Sequence, residues 1–270
     1  MTSGTLVGRV IPPAALGSRR SLRLVERNLL VYRRAWVIIF SGFFEPLFYL
    51  FGVGVGIGVL VGDIAIGGGR AVSYAEFVAP AMLAASAMNG AVYESTINIF
   101  FKLRWAKTYD AVLATPLGPG DVATGEITWS LMRGAIYSAC FLAVMLAMGL
   151  MPSLWGLLAL PAALLIGFAF AAVGMAATTF MKSWQDFDLV SLVTLPLFLF
   201  SATFYPMAVY PDWLQAVARF SPLYHGTDLV RGLTLGVLDW SLLGHVAVLV
   251  AMGLVGALVA SRRIERLLLK

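Results

Sequence analysis

The stretch Leu154-Trp-Gly-Leu-Leu-Ala-Leu-Pro-Ala-Ala-Leu-Leu-Ile-Gly-Phe-Ala-Phe-Ala-Ala-Val-Gly-Met-Ala-Ala-Thr-Thr-Phe-Met181 contains no Lys, Arg, Asp or Glu. A helix rising ~1.5 Å per residue needs about 20 mostly apolar residues to cross a hydrocarbon layer about 30 Å thick. This stretch has them with residues to spare. Working outward from it, five further apolar runs share its character, at residues 36–61, 75–101, 123–149, 187–208 and 239–261. The composition agrees: 60% of residues are hydrophobic, 12% are charged, and the mean hydropathy is +0.88, outside the range of soluble domains. The sequence therefore predicts an all-α membrane protein with six transmembrane helices.

The first run follows a segment with six arginines between Arg19 and Arg34, which is not the layout of a cleaved signal peptide. Lys and Arg accumulate in short cytoplasmic loops. Arg9, Arg19, Arg20, Arg23, Arg27, Arg33 and Arg34 precede span 1, and Lys102, Arg104 and Lys107 lie between spans 2 and 3. Lys182 separates spans 4 and 5, and Arg262, Arg263, Arg266 and Lys270 follow span 6. The other side has Arg70, Arg219 and Arg231. This asymmetry places both termini in the cytoplasm of a multi-pass protein of the inner or plasma membrane. It also accounts for the net charge of +5 without nucleic acid as a partner. The single cysteine, Cys140, falls inside a span, where it reads as a packing residue.

Residues 1–18, with Pro12, Pro13 and little periodicity, read as a flexible cytoplasmic tail, and 262–270 as a short C-terminal one. In 19–35, apolar positions such as Leu22, Val25, Leu29 and Tyr32 recur among arginines, as in an amphipathic helix lying at the membrane interface. Residues 36–261 form the transmembrane domain. Small-residue stripes mark helix contacts: Gly52, Gly54, Gly56 and Gly58 in span 1, Ala84, Ala87 and Ala91 in span 2, and Gly167, Ala171 and Gly174 in span 4.

Two polar interruptions stand out. The loop 102–121 predicts a short helix with Trp105, Tyr109, Val112 and Leu113 on related faces, followed by a turn at Thr115–Gly120. It reads equally as a basic topology anchor and as a contact for a soluble partner. The segment 204–238 is too polar to span and too apolar to leave the membrane. Tyr210-Pro211-Asp212 opens one short helix, Pro222 stops it, and Tyr224–Leu235 forms another, giving short re-entrant or interfacial outer helices.

Charged residues within spans are functional candidates because burying them in lipid is costly. Glu45 lies mid-span, Glu94 toward the inner end of span 2, and Glu126 and Arg133 share a face of span 3, where they read as structural or gating residues at the cytoplasmic entry. No catalytic chemistry is suggested. The chain lacks G-x-x-x-x-G-K-[ST], H-E-x-x-H and G-x-S-x-G, and His225 and His245 make no metal pattern with cysteine.

Several segments in series resemble one family: Arg33-Arg34-Ala-Trp36 leading to Glu45-Pro-Leu-Phe-Tyr-Leu50, then Tyr74-Ala-Glu-Phe-Val-Ala-Pro-Ala81, and Thr108-Tyr-Asp-Ala-Val-Leu-Ala-Thr-Pro-Leu117 with Gly125-Glu126. Phe198-Leu-Phe-Ser-Ala-Thr-Phe-Tyr-Pro206, Pro211-Asp-Trp-Leu-Gln215 and Pro222-Leu-Tyr-His225 with Asp228 and Arg231 continue it. Across about residues 20–265 the chain resembles the ABC-2 type export permeases, and within them the NodJ-like lipooligosaccharide and daunorubicin-type drug exporters. The resemblance implies a pair of permeases, two copies or a copy and a paralogue, on two ATPase subunits that bind ATP and Mg; no cofactor is expected in this chain. It implies coupling to the ATPase at Trp105, Lys107, Thr108, Tyr109, Asp110 and Leu113. It implies an outer gate at Phe204, Pro206, Trp213, His225, Asp228 and Arg231. The cargo would be amphipathic, a lipid-linked glycan or a hydrophobic drug. From the residues alone, a proton-coupled transporter or channel using Glu45 and Glu94 is the competing reading.

Overall fold

The computed structural model of the chain describes residues 20–33, 44, 47–66 and 70–268. The N-terminal tail, most of the start of span 1 including Glu45, and the last two residues lie outside them. Helix α1, Ser21–Tyr32, is followed by α2, Leu47–Val61, whose Leu50–Ile57 portion is wound as a π-helix. The hairpin β1 Asp63–Ile66 and β2 Arg70–Ser73 comes next, antiparallel with Asp63 opposite Ser73. It is a small strand pair in an otherwise helical chain, and the reading of spans did not anticipate it.

Helix α3, Tyr74–Trp105, starts at a capping box in which Glu76 N–H donates to Ser73 Oγ and Ser73 N–H donates to Glu76 Oε2 at 2.7 Å. Its last part is π-wound over Glu94–Asn98 and Phe101–Trp105. A short helix α4, Thr108–Leu113, leads to α5, Pro119–Ala147, which opens with Pro at its first position. Helix α6 is Leu154–Thr178 and α7 is Asp186–Phe200. Then come α8, Asp212–Arg219, α9, Pro222–Leu235, and α10, Ser241–Leu268.

Among the described residues, four helices are long and apolar enough to cross a membrane: α3, α5, α6 and α10. Helix α2 is described from Leu47 on. Helix α7 ends at Phe200, although the apolar sequence continues to 208. There Ala202 takes φ of 55° and the chain through Thr203 is buried without being helical. Irregular backbone is tolerated at such depth where protein surrounds it.

The core gathers around α3 and α6, with Phe77, Leu83, Met88, Ile166 and Phe170 all buried. Helix α10 crosses α6 closely: a Cβ on Gly256 would lie 2.8 Å from the backbone of Ala172 and Val173, so glycine is required there. Helix α9 is buried within the bundle. Its first residue, Pro222, lines the same space as Val92, Phe170 and Met252, which sit near the middles of their helices. Its last turn reaches the α5–α6 connection, where Ser153 N–H donates to Thr234 O at 3.2 Å. Helix α9 thus runs from mid-bundle to the hairpin end. Ser221 caps its start and hydrogen-bonds Ser201 at 2.6 Å where α7 stops.

Candidate functional site

At the end of the bundle that carries α1, charged side chains form a ladder between α3 and α5. Lys102 Nζ donates to Glu126 Oε2 at 2.8 Å and Oε1 at 3.0 Å, with the two residues 7% and 2% exposed. Asn28 of α1 completes the group: it donates to Glu126 at 3.1 Å and accepts from Lys102 at 3.3 Å. Two turns away, Arg133 pairs with Glu94, and Asn98 donates to both Glu94 and Tyr32. The Arg133 guanidinium also lies 5.0 Å from the Tyr32 ring centre and donates to Tyr137 at 2.9 Å.

The spacing explains this assembly. Glu94, Asn98 and Lys102 recur every four residues on α3, Glu126 and Arg133 lie seven apart on α5, and Asn28 and Tyr32 lie four apart on α1, so each helix offers one stripe. Gly125 lets α1 dock there, since a Cβ would stand 2.9 Å from Leu24 Cβ and 3.0 Å from Ser21 O. Each charge in the ladder has an opposite partner, which is the condition for keeping ions in a low-dielectric interior. Glu126 and Arg133 therefore bridge to α3 instead of standing free. Lys102, which reads as a topology charge in the sequence, is half of a buried pair. Glu94 is held by Arg133 and Asn98. Glu45, the other relay candidate, lies outside the described residues.

Helix α4 hangs from the same end. Tyr109 is 1% exposed and Val112 is buried, both packed in a cluster with Leu24, Ile127, Met175 and Ile264 from four other helices. Burial, followed by the Glu126 carboxylate nearby, pushes the Tyr109 phenol well above its ordinary value. Tyr109 thus faces inward, not toward solvent with Trp105 as the sequence suggested. Trp105, Lys107 and Asp110 are exposed, while Thr108 and Leu113 are half-buried. Lys107 takes φ of 46° where the chain turns from α3 into α4. Arg104 Nη2 donates to Met181 O at 3.0 Å, and Arg263 Nη2 donates to Thr179 O at 3.4 Å, so basic side chains satisfy carbonyls just past α6.

The hairpin end is built differently. Arg231 on α9 is 8% exposed, and no carboxylate lies within ion-pair distance of it among the described residues. Its Nε donates to Phe77 O at 3.2 Å, its Nη2 donates to Ala202 O at 2.8 Å, and its guanidinium stacks 3.8 Å from the Phe77 ring centre. His225 and His245 meet through their Nδ1 atoms at 2.6 Å, and His245 Nε2 lies 3.0 Å from Asp228 Oδ2. The structure so gathers Pro206, Asp228 and Arg231 around one cavity of about 250 Å³, which His225 reaches only through His245 and Asp228. Phe204 packs on Phe198 instead, and Trp213 is 68% exposed on α8.

A second, larger cavity of about 930 Å³ separates α7 from α3, α6 and α10. Val92, Phe170, Val190, Val193, Leu197 and Met252 line it, and Lys182 and Asp186 stand at its α1-end mouth. Sequence reasoning did not single out this space, because apolar residues at a helix interface look the same whether they touch or stand apart.

Residues 21–235 match a family described as ABC-2 type transporter. The chain belongs to the ABC-2 type transporter family. The matched region begins with the first residue of α1 and ends with the last of α9, so it contains the ladder, the α4 loop and α9 itself. Among curated proteins, this ABC-2 chain is similar to Nodulation protein J of Rhizobium leguminosarum bv. trifolii, 37% identical over 222 residues, covering 82% of this chain and 83% of that protein. Nodulation protein J of Rhizobium leguminosarum bv. viciae is 32% identical over 256 residues, covering 94% and 97%. That of Rhizobium meliloti (strain 1021) is 32% identical over 213 residues, covering 78% and 79%. The chain is therefore a multi-pass membrane protein of transporter type, the membrane subunit of an ABC exporter.

Proposed function

We propose that this permease, driven by two copies of a separate ATPase and paired with a second permease, moves an amphipathic substrate outward across the cell membrane, both termini being cytoplasmic. One observation carries the reading. The exposed tip of α4, with Trp105, Lys107 and Asp110, is fixed through Tyr109 and Val112 to a cluster where α1, α3, α5, α6 and α10 meet. A push on that tip reaches every long helix at once. The ladder behind it keeps α1, α3 and α5 moving as one body. The apolar cavity beside α7 is suited to an acyl chain or a hydrophobic drug. ATP and Mg belong to the partner, and this chain supplies the path.

The test is a proline in the tip. Asp110 N–H donates to Lys107 O at 3.2 Å in the first turn of α4, and Asp110→Pro removes that donor and disfavours helical geometry at Tyr109. The expected result is a complex that still assembles and still hydrolyses ATP while substrate export drops. Export and hydrolysis that stay tightly linked in this variant would contradict the role of α4.

A further inference from the structure

The chain has two histidines, His225 and His245, and the fold brings them together. Their Nδ1 atoms stand 2.6 Å apart, one ring near the start of α9 and the other near the start of α10. On its far side His245 Nε2 lies 3.0 Å from Asp228 Oδ2, and an ionised carboxylate only accepts, so that nitrogen is the donor. The Tyr224 ring packs against both imidazoles, its centre 5.8 Å and 5.9 Å from theirs.

The protons can be counted from this geometry. A neutral imidazole has one N–H. With His245 Nε2 donating to Asp228, His245 Nδ1 is left as an acceptor, and the hydrogen between the rings comes from His225 Nδ1. One added proton has a place at His225 Nε2, because the Arg219 carbonyl faces that ring. The pair then carries one positive charge beside one carboxylate, and the hydrogen between the rings stays where it is. A second added proton has no such place. It sets an N–H on both Nδ1 atoms, head to head across a gap that holds one hydrogen. Two like charges also face each other at contact.

The neighbours do not relieve that conflict. Tyr224, Asp228 and Arg231 stand beside the pair on α9, Arg219 at the end of α8 and Asp239 in the turn before α10. Helix α6 has no ionisable side chain, α7 carries Asp186 and Asp188 in its first turn at the α1 end, and Glu76 of α3 is tied to Ser73. Of the acids, Asp228 is the one in contact with a ring among the described residues. Its side chain is 38% exposed and lines the cavity of about 250 Å³, which gives protons a route in. Burial, and then His245, hold His225 below its ordinary value. The released ring therefore binds protons more readily than the closed one, so the contact is at full strength above the ordinary histidine value of ~6.5 and weakens as the pH falls below it.

We propose that His225, His245 and Asp228 form an acid-released latch that pins α9 to α10 at the hairpin end. Its release loosens the wall that carries Tyr224, Asp228 and Arg231 into the cavity, so acid on that side frees what neutral pH holds shut. The latch does not depend on the export reading.

The test is hydrogen exchange of residues 222–235 in the full chain in nanodiscs, at pH 7.5 and pH 5.5, corrected for the pH dependence of the chemical rate. The released form binds one proton more than the closed pair, and one unit below ~6.5 that difference raises opening of α9 about tenfold. Helix α6, without an ionisable group, should show no change. His225→Gln and His245→Gln each keep a neutral side chain that donates and accepts, and each should retain protection of α9 at pH 7.5 and lose its pH response. Equal protection of wild-type α9 at the two pH values, tighter protection at pH 5.5, or a response that survives in both glutamine variants overturns the latch. The wild-type comparison decides by itself if either variant loses protection in α6 as well and is misfolded.

Discussion

The two ends of this bundle bury charge in opposite ways. At the α1 end, Lys102 meets Glu126 and Arg133 meets Glu94, each pair within a shell of Asn28, Asn98 and Tyr32. At the hairpin end, Arg231 is just as buried but rests on two carbonyls and a phenyl ring, and the nearest acidic side chains line an open cavity with it. Paired charges in a dry interior hold helices in one register. A cation without a paired carboxylate beside a cavity keeps capacity for a ligand. The comparison teaches that the same residue types are locked in ion pairs at one end and set beside a cavity at the other, and that partners, not residue identity, decide which.

The largest effect should come from breaking the brace. Lys102→Met leaves Glu126 buried with Asn28 but no cation, and removing one member of a buried pair costs about 3–5 kcal/mol. Thermal unfolding in detergent should show it, and the double variant Lys102→Met with Glu126→Leu should recover most of the loss. If the single variant melted like the wild type, the ladder would not be a brace. Next is Gly125→Val, which forces methyl groups against Leu24 and Ser21 O; overpacking of this kind costs about 1–3 kcal/mol. Protease cleavage within 20–33 should rise sharply as α1 lifts, and unchanged protection would contradict its docking on α5.

At the other end, Arg231→Lys keeps the charge but cannot span both carbonyls and the Phe77 face. We expect about 1–3 kcal/mol, the cost of one unsatisfied buried group, and a smaller melting shift than at Lys102. The reverse order would invert the comparison. The smallest effect is a titration. Burial, with Tyr205 adjacent, pushes Tyr210 up to about 12. A folded value above the ordinary ~10 means that Tyr210 contributes stability below pH 10 that is lost as the pH rises toward 12. Absorbance at 295 nm should show late phenolate ionisation that shrinks by one tyrosine in Tyr210→Phe, the Tyr109 part remaining; an unchanged late amplitude would contradict the assignment to Tyr210.

Much of this was legible in the sequence, and the exceptions have physical causes. Spans at α3, α5, α6 and α10 were plain because lipid tolerates no other uninterrupted apolar run of that length. The short helix α8 announced itself through Pro211-Asp212, whereas Pro222, read in the sequence as a stop with the next helix beginning at Tyr224, is the first residue of α9. Hydropathy did not mark the end of α7, because the apolar sequence runs on past Phe200 while Ser201–Thr203 is irregular yet surrounded by protein. The hairpin was written in Asp63-Ile-Ala-Ile66 and Arg70-Ala-Val-Ser73 around three glycines, a strand signal masked by the spans on either side. Glu126 and Arg133 were visible as costly charges, whereas Lys102 was hidden among loop cations. Tyr109 looked like a contact residue until α4 was seen to fold back on the bundle. Gly256, which sets how closely α10 approaches α6, stood outside the small-residue stripes that the sequence suggested.

The central claim is that force enters at α4 from an ATPase and cargo leaves past α9. Its most direct measurement is transport by proteoliposomes containing this chain with and without its ATPase, with ATP supplied on the α4 side and the pH gradient collapsed. Movement of a fluorescent glycolipid that requires both the ATPase and ATP, and that falls in Asp110→Pro, is the predicted result. Movement by the permease alone, driven by a pH gradient and indifferent to ATP, would contradict it.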